Sequence, residues 1–108
     1  MTFAYTVRSE FSDAATAAEW LAWMHSEHLA HVCEAGATDA EVVKMDAADP
    51  AFPHAYEARY RFASRAAFAE YERDHAPRLR AEGLRLFSVE RGIRYARTTG
   101  EVVIRHNV

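Results

Sequence analysis

Residues 13–36 carry the strongest pattern in the chain, an apolar stripe that recurs at every third or fourth position. This spacing predicts one long amphipathic helix, with Ser12 or Asp13 at its N-cap and Gly36 at its end. The members of the stripe are Ala14, Ala17, Leu21, Met24, His28, Val32 and Ala35. Trp20 lies on a shoulder of the stripe and Trp23 lies toward the outer face. Aromatic bulk outside the stripe indicates a second neighbour for this helix.

Four shorter segments have the patterns of β-strands. Apolar and polar side chains alternate over residues 3–8 and 54–62, as they do in strands with one buried face. The core face of the second segment holds Tyr56, Ala58, Tyr60 and Phe62. The β-branched pair Val42–Val43 predicts a strand over residues 37–45, which cannot continue through Pro50 and Pro53. A last strand is predicted over residues 91–103, with a bend at Gly100.

A second helix is predicted after Ser64, which is a good N-cap residue. Its apolar positions recur at helical spacing and are Ala67, Phe68, Tyr71 and His75. Pro77 requires a kink or a restart, for which Asp74 is a possible new cap, and Gly83 is the expected stop. Residues 84–88 then link this helix to the last strand.

The resulting order is strand, helix, strand, strand, helix, strand, with no internal linker. Two β-α-β halves with right-handed crossovers give a four-stranded antiparallel sheet with both helices on one face. The sequence therefore predicts an α+β fold, the ferredoxin-like split β-α-β, as one domain over residues 1–108.

Composition and charge narrow the class of protein. Half of the residues are hydrophobic and 27% are charged, which is typical of a soluble globular protein. We expect no membrane span, because no apolar run approaches about 20 residues, and no secretory signal peptide. The single cysteine, Cys33, cannot form an intramolecular disulfide, which agrees with a cytoplasmic location.

The net charge of −3 is unevenly distributed along the chain. Residues 1–54 hold 2 basic and 9 acidic groups, whereas residues 55–108 hold 11 basic and 7 acidic groups. The arginines of the second half are scattered through strand and helix patterns instead of forming a patch. This favours complementarity within the domain or between subunits over nucleic-acid binding.

Three stretches of the chain carry a resemblance to known proteins. They are Trp20-Leu21-x-Trp23-Met24-x-x-x-His28, the segment Tyr56 to Tyr60, and His75-Ala76-Pro77-Arg78-Leu79-Arg80-x-Glu82-Gly83 followed by Phe87. They resemble a bacterial family of domains of unknown function, placed among the dimeric α/β-barrel proteins of ferredoxin-like fold. The resemblance implies this fold and a homodimer. The wider superfamily includes cofactor-free monooxygenases, heme-degrading enzymes, muconolactone isomerases and stress-responsive proteins, and fold alone does not choose among them.

Histidines are the first candidates for a functional site. His25 and His31 lie about 9 Å apart along a helix axis, too far to share one ion, so we expect a solvated helix shoulder and no metal site. His28 lies within the apolar stripe, either as a core histidine with a hydrogen-bond partner or as part of a ligand cavity between helix and sheet. His75 also faces inward, but the topology places it at the opposite end of the sheet from His28.

The remaining candidates would line the same space. Tyr56 and Tyr60 share a strand face and are either core residues or walls for a flat aromatic or quinol-like ligand, together with Trp20 and Met24. Arg80 is expected in a solvated ion pair, with capture of an anionic ligand as a minor alternative. There is no glycine-rich phosphate loop and no serine or cysteine nucleophile motif, so we expect no cofactor.

Three functions fit these residues. The first is a homodimer that binds a small organic molecule between helices and sheet. The second is a cofactor-free oxygenase or isomerase that uses His28 and a strand tyrosine for proton transfer. The third is a non-catalytic assembly or regulatory module. A cavity bordered by His28 favours the first two functions, and a filled interface between helices and sheet favours the third.

Overall fold

The computed structural model describes residues 1–107 and has the predicted order of elements. The strands are β1 (Phe3–Phe11), β2 (Asp39–Met45), β3 (His54–Phe62) and β4 (Ile93–Glu101). The first helical segment contains α1 (Ala14–Trp23), a π-helical turn (Met24–His28) and α2 (Leu29–Glu34). The second contains α3 (Arg65–Asp74) and α4 (Ala76–Leu86), followed by a 3₁₀ turn (Val89–Arg91).

The four strands form one antiparallel sheet in the order β2-β3-β1-β4. This order is that of the ferredoxin-like split β-α-β fold, so the predicted fold is confirmed. In the register of the sheet, Val7 stands between Ala58 of β3 and Arg97 of β4, and Ser9 stands between Tyr56 and Tyr95.

The first helical segment begins where the sequence predicts. The Asp13 carboxylate accepts hydrogen bonds of 2.8 Å from both the backbone N–H and the hydroxyl of Thr16, which caps the helix. The segment ends before Gly36, whose φ of +132° is a conformation that other residues rarely adopt.

Within this segment, the backbone N–H of Leu29 donates to the carbonyl of Met24, five residues earlier, and so closes a π turn. The buried side differs from the predicted stripe, because Ala14 is exposed and Trp20 is 4% exposed. The fully buried members of the segment are Thr16, Ala17, Trp20, Met24 and Val32.

The second helical segment breaks near Pro77, as predicted, and Ser64 caps its start by accepting from the Ala67 N–H at 3.0 Å. Two details of the prediction were wrong. Asp74 does not cap α4, because its carboxylate accepts two hydrogen bonds from Arg73. Gly83 does not stop the helix, since α4 continues to Leu86 with Gly83 in an interior turn.

The core lies between one face of the sheet and the helices. On β1, Phe3 stacks on Phe68 of α3 at 4.8 Å between ring centroids, and Phe11 contacts Trp20 of α1 at 5.3 Å. Both helical segments therefore cover the same face. The opposite face of the sheet carries charged side chains. Within residues 1–107, no helix is both long and apolar enough to cross a membrane.

Candidate ligand-binding site

A cavity of about 140 Å³ lies between the sheet and the helices, and the sequence of the sheet explains its position. The core face of β1 carries large aromatic side chains toward both ends but Val7 and Ser9 in the middle. Ala58 of β3 stands directly beside Val7 in the register. Because these three side chains are smaller than the aromatic ones on either side of them, a space remains between the sheet and the helices at this point.

Aromatic side chains form a large part of the cavity wall. The sheet contributes Tyr5, Tyr60 and Tyr95, and the helices and their connection contribute Trp20, Trp23, Tyr71 and Phe87. Trp23 packs against α4 at Gly83. A Cβ atom built at Gly83 would lie 3.5 Å from the edge of the indole ring, which is an ordinary contact distance. The second neighbour predicted for the first helix is therefore α4, and Trp23 faces the cavity instead of the outer surface.

The most informative feature of the cavity is its set of unpartnered polar atoms. Within residues 1–107, four buried side-chain nitrogen or oxygen atoms have no hydrogen-bond partner. These atoms are Ser9 Oγ, Trp23 Nε1, His28 Nδ1 and Arg80 Nε. All four belong to residues that line this one cavity. Buried polar atoms in folded proteins are nearly always hydrogen-bonded, so their concentration here requires an explanation.

His28 ends the π turn and stacks on the indole of Trp23, with 4.4 Å between ring centroids and 22° between the planes. Burial lowers the pKa of its imidazole to about 4, an effect that the Glu82 carboxylate only partly offsets and that His31 adds to. The imidazole is therefore neutral at pH 7. The sequence left open whether His28 is a core histidine with a hydrogen-bond partner or part of a ligand cavity. In the structure it lines the cavity, and its Nδ1 has no hydrogen-bond partner.

Arg80 is held at the cavity by an ion pair. Its Nη2 donates to both carboxylate oxygens of Glu72, at 2.8 and 2.7 Å, while its Nε remains buried without a partner. Burial lowers the pKa of the guanidinium, but the Tyr5 hydroxyl and the Glu72 carboxylate reverse the net shift. The side chain therefore keeps its positive charge.

Three tyrosine hydroxyls of the wall, those of Tyr60, Tyr71 and Tyr95, have raised pKa values and stay protonated at neutral pH. Burial and the neighbouring hydroxyls of Tyr71 and Tyr5 raise the pKa of Tyr60. Burial raises the pKa of Tyr71 to about 12, although the charges of Arg80 and Arg97 act in the opposite direction. Burial also raises the pKa of Tyr95 to about 12, and its hydroxyl donates to the carbonyl of Phe87 at 2.6 Å.

The structure brings together most, but not all, of the site residues predicted from the sequence. Five of the seven line the cavity, namely Trp20, Met24, His28, Tyr60 and Arg80. Tyr56 packs beside it against Trp20 and Phe11. His75 lies at the junction of α3 and α4, where its Nδ1 accepts from Arg78 at 3.3 Å. The exposed residues His25 and His31 lie outside the cavity.

Sequence reasoning missed several residues of the cavity, chiefly Ser9, Gly83 and Arg97. Ser9 had a usable signal, because the alternation of β1 continues past Val7 and places a small polar residue on the core face. Arg97 had none, since nothing in the sequence distinguishes it from the other arginines of the second half. Within residues 1–107 no cluster of three or more histidine, cysteine, aspartate or glutamate side chains could hold a metal ion.

Comparison with known proteins identifies the family. The family model DUF4286, a domain of unknown function, matches residues 3–96. The chain belongs to this family. The resemblance noted in the sequence is thus confirmed, and the cavity described above is a feature of a DUF4286 domain. A search of curated proteins gave no match.

Solved structures resemble this DUF4286 domain over almost its whole length. A dimeric ferredoxin-like protein from an uncultured marine organism has a TM-score of 0.67 at 13% identity, covering 97% of this chain and 98% of that one. An ethyl tert-butyl ether D (EthD) family protein from Bacillus halodurans has a TM-score of 0.70 at 11% identity, with 95% and 100% covered. A candidate antibiotic biosynthesis monooxygenase from Deinococcus radiodurans has a TM-score of 0.60 at 15% identity, with 100% and 98% covered. At these identities the likeness is one of fold.

Proposed function

We propose that this DUF4286 domain binds a small organic molecule in the cavity between its helices and its sheet. The observation that carries the proposal is that the four unpartnered buried polar atoms of residues 1–107 all belong to residues lining one cavity that is rich in aromatic side chains. Ligand sites combine apolar walls with a few polar groups that orient the ligand. A ligand with suitable oxygen or nitrogen atoms would satisfy the groups that the protein leaves unpaired.

The energetics of the unpartnered groups support binding over a purely structural role. Each buried polar group without a partner costs about 1 to 3 kcal/mol of folding free energy. An assembly module has no need of such groups in its core, where alanine, leucine or phenylalanine would be more stable. Residues kept at the expense of stability are commonly functional.

The size of the cavity indicates the size of the ligand. An apolar cavity of about 150 Å³ is known to hold one benzene molecule. The cavity here, at about 140 Å³, has the volume for one substituted six-membered ring. Aromatic walls on both sides suit a flat molecule.

A library of small aromatic compounds tests the proposal by thermal unfolding of the wild-type domain and of two variants. Ala58→Val adds two methyl groups to the cavity floor, whereas Ala66→Val makes the same change on the exposed side of α3, outside the cavity. Compounds that raise the melting temperature should act on wild type and A66V but not on A58V. A library that produces no shift in wild type, or equal shifts in A58V, would contradict the proposal.

The same cavity supports a second candidate function, a cofactor-free oxygenase or isomerase. The observation in its favour is a neutral imidazole nitrogen without a partner beside a tyrosine-rich wall. A pKa of about 4 makes His28 a weak general base, because a catalytic base works best when its pKa lies near the working pH. Binding alone is therefore the better-supported function. Oxygen uptake with a hydroquinone that binds wild type, abolished in His28→Leu, would favour the enzyme.

We further propose that the domain forms a homodimer through the open face of the sheet, as the resemblance implies. This face carries both signs of charge in short-range pairs, including Arg8 with Glu57 at 3.4 Å and Arg94 with Glu10 at 3.2 Å. A face with both signs can pair with a copy of itself across a two-fold axis. Thr6 lies on this face near the middle of β1.

Sedimentation equilibrium at micromolar concentration tests the dimer. We expect a species of twice the 12.2 kDa chain mass for wild type. Thr6→Lys, which adds a charge at the centre of the open face, should give the monomer, whereas Ala66→Lys on the exposed side of α3 should not. A 12.2 kDa species alone for wild type would overturn the dimer and leave the ligand proposal untouched.

A further inference from the structure

The charged side chains that line the cavity have a single sign. Two arginines, Arg80 and Arg97, belong to the lining, and no aspartate or glutamate among residues 1–107 does. This differs from the chain as a whole, in which acidic residues outnumber basic ones by 16 to 13. The ionised side chains of the lining are therefore positive, one of them paired with Glu72, although the protein carries a net charge of −3.

The two arginines lie near the same pair of tyrosines. Arg97 stands opposite Val7 in the register, two residues along the core face of β1 from Tyr5. The ring of Tyr5 lies 6.3 Å from that of Tyr71 on α3, and Arg80 pairs with Glu72, the next residue of that helix. This end of the cavity thus combines two arginines, one of them paired with Glu72, with two tyrosine side chains.

Arg80 has a donor available in addition to its ion pair. The Glu72 carboxylate is satisfied through Nη2 alone, and this contact holds the guanidinium in place. The Nε–H group of the same guanidinium is buried and has no partner. Since arginine has only donors, the missing partner must be an acceptor, and a negatively charged oxygen is the strongest one.

A second obligatory donor lies on the first helix. The indole N–H of Trp23 is buried and unpartnered, and it can only donate. Ser9 Oγ and the neutral His28 ring can each donate or accept, so they adapt to the ligand. The ligand must therefore carry at least two acceptor atoms on a mostly apolar body.

We propose that the ligand of this site is a small aromatic acid, a single flat ring that bears an anionic oxygen group held by Arg80 and Arg97. The inference rests on the proposed function, since it specifies what the same cavity binds. The anionic group lies at the arginine end, and the ring lies against Trp20, Trp23 and Phe87. The two arginines disfavour a cationic ligand. A neutral ligand leaves Arg97, which forms no ion pair within residues 1–107, without an anionic partner, whereas Arg80 is already paired with Glu72.

Three probes of nearly equal shape and different charge test this inference by isothermal titration calorimetry at pH 7. They are 4-hydroxybenzoate, which is anionic, 4-hydroxybenzamide, which is neutral, and 4-hydroxybenzylamine, which is cationic. We expect the benzoate to bind at least about tenfold more tightly than the benzamide, because hydrogen bonds to charged groups are the stronger ones. The benzylamine should bind most weakly. The preference for the anion should shrink as salt is added.

Variants assign the preference to the two arginines. Arg97→Gln changes an exposed residue and should keep the fold, and Arg80→Gln tests the buried donor. Both should bring the affinities for benzoate and benzamide to within about threefold of each other, since the charged contact is lost. Arg85→Gln, an exposed position on α4 outside the cavity lining, is the control and should retain the wild-type preference.

The outcomes separate this inference from the proposed function. If wild type binds benzamide as tightly as benzoate and Ala58→Val abolishes both, the cavity is a ligand site but the anionic class is wrong. If Arg85→Gln loses the preference as fully as Arg97→Gln, general charge and not the site causes it, and the inference is again overturned. If none of the three probes binds wild type, the aromatic-acid inference fails, and the compound library decides the proposed function separately.

Discussion

Replacing His28 with leucine should remove a large part of the acid sensitivity of this domain. The folded protein lowers the pKa of His28 from 6.5 to about 4, chiefly through burial of the ring. The unfolded chain therefore takes up a proton at this residue at a pH where the folded chain does not. The stability that the neutral ring provides is complete above pH 6.5 and is lost as the pH falls toward 4.

The magnitude follows from the two pKa values. Each unit of pKa difference corresponds to about 1.4 kcal/mol. Relative to neutral pH, the free energy of unfolding therefore falls by about 3 kcal/mol at pH 4 and by about 2 kcal/mol at pH 5. These figures are upper bounds, because solvent still reaches part of the ring. Leucine cannot bind a proton, so the variant lacks this contribution.

Urea unfolding at pH 7.5 and at pH 5 measures the effect. We expect wild type to lose about 1 to 2 kcal/mol more than His28→Leu between the two pH values. His25→Leu is the matched control, since it removes an exposed histidine from the same π turn without touching the cavity. At pH 7.5 the stability of H28L should lie within about 1 to 2 kcal/mol of wild type, because leucine has a similar size and removes an unpartnered nitrogen.

Equal losses in wild type and His28→Leu between pH 7.5 and pH 5 would refute the reasoning. That result would mean that the imidazole binds a proton as readily in the folded chain as in the unfolded one. The neutral His28 that is assigned a hydrogen-bonding role in the cavity would then be wrong as well. If His25→Leu reduced the loss of stability between pH 7.5 and pH 5 as much as His28→Leu does, the effect would come from removing any histidine of this helix and not from burial of His28.

Three further substitutions test the packing of α4 against Trp23, the unpartnered hydroxyl of Ser9 and the N-cap of α3. Gly83→Ala should stabilise the domain by up to about 1 kcal/mol in urea unfolding, because alanine is the better helix former and its methyl group would lie at ordinary contact distance from Trp23. Destabilisation would mean that the methyl group clashes with the indole ring of Trp23. Ser9→Ala should be neutral or stabilising by up to about 1 kcal/mol, since it removes a buried unpartnered hydroxyl; a clear loss of stability would reveal a hidden partner. Ser64→Ala should cost about 1 kcal/mol through loss of the cap on Ala67, with Ser26→Ala as the exposed control.

Periodicity was sufficient to predict the fold because each element alternates or winds against one continuous core. The face of β3 that carries Tyr56 and Tyr60 and the stripe through Met24 and Val32 both meet that core. The right-handed crossover rule then left one topology. Element ends were less predictable, since Gly83 is a typical helix stop but here lies inside α4, which continues to Leu86.

The cavity could be predicted only in part. Aromatic residues and His28 were visible candidates because they are bulky or polar on an apolar face. The absence of bulk at Val7, Ser9 and Ala58 matters equally, but it has meaning only when the sheet register places these positions together. The position of Arg97 at the cavity likewise depends on its pairing with Val7, which lies 90 residues earlier in the chain.

The π turn takes up one extra residue and so keeps the two halves of the first helix aligned on the same core. In a regular α-helix of the same sequence, Val32 would be rotated by about 120° from Trp20, which lies twelve residues earlier. With the π turn, Trp20, Met24 and Val32 are all buried. Removing one residue of the turn, such as Ser26, should therefore give a regular α-helix with Val32 still in the core, whereas straightening the turn without a deletion would rotate Val32 out of it by about 100°.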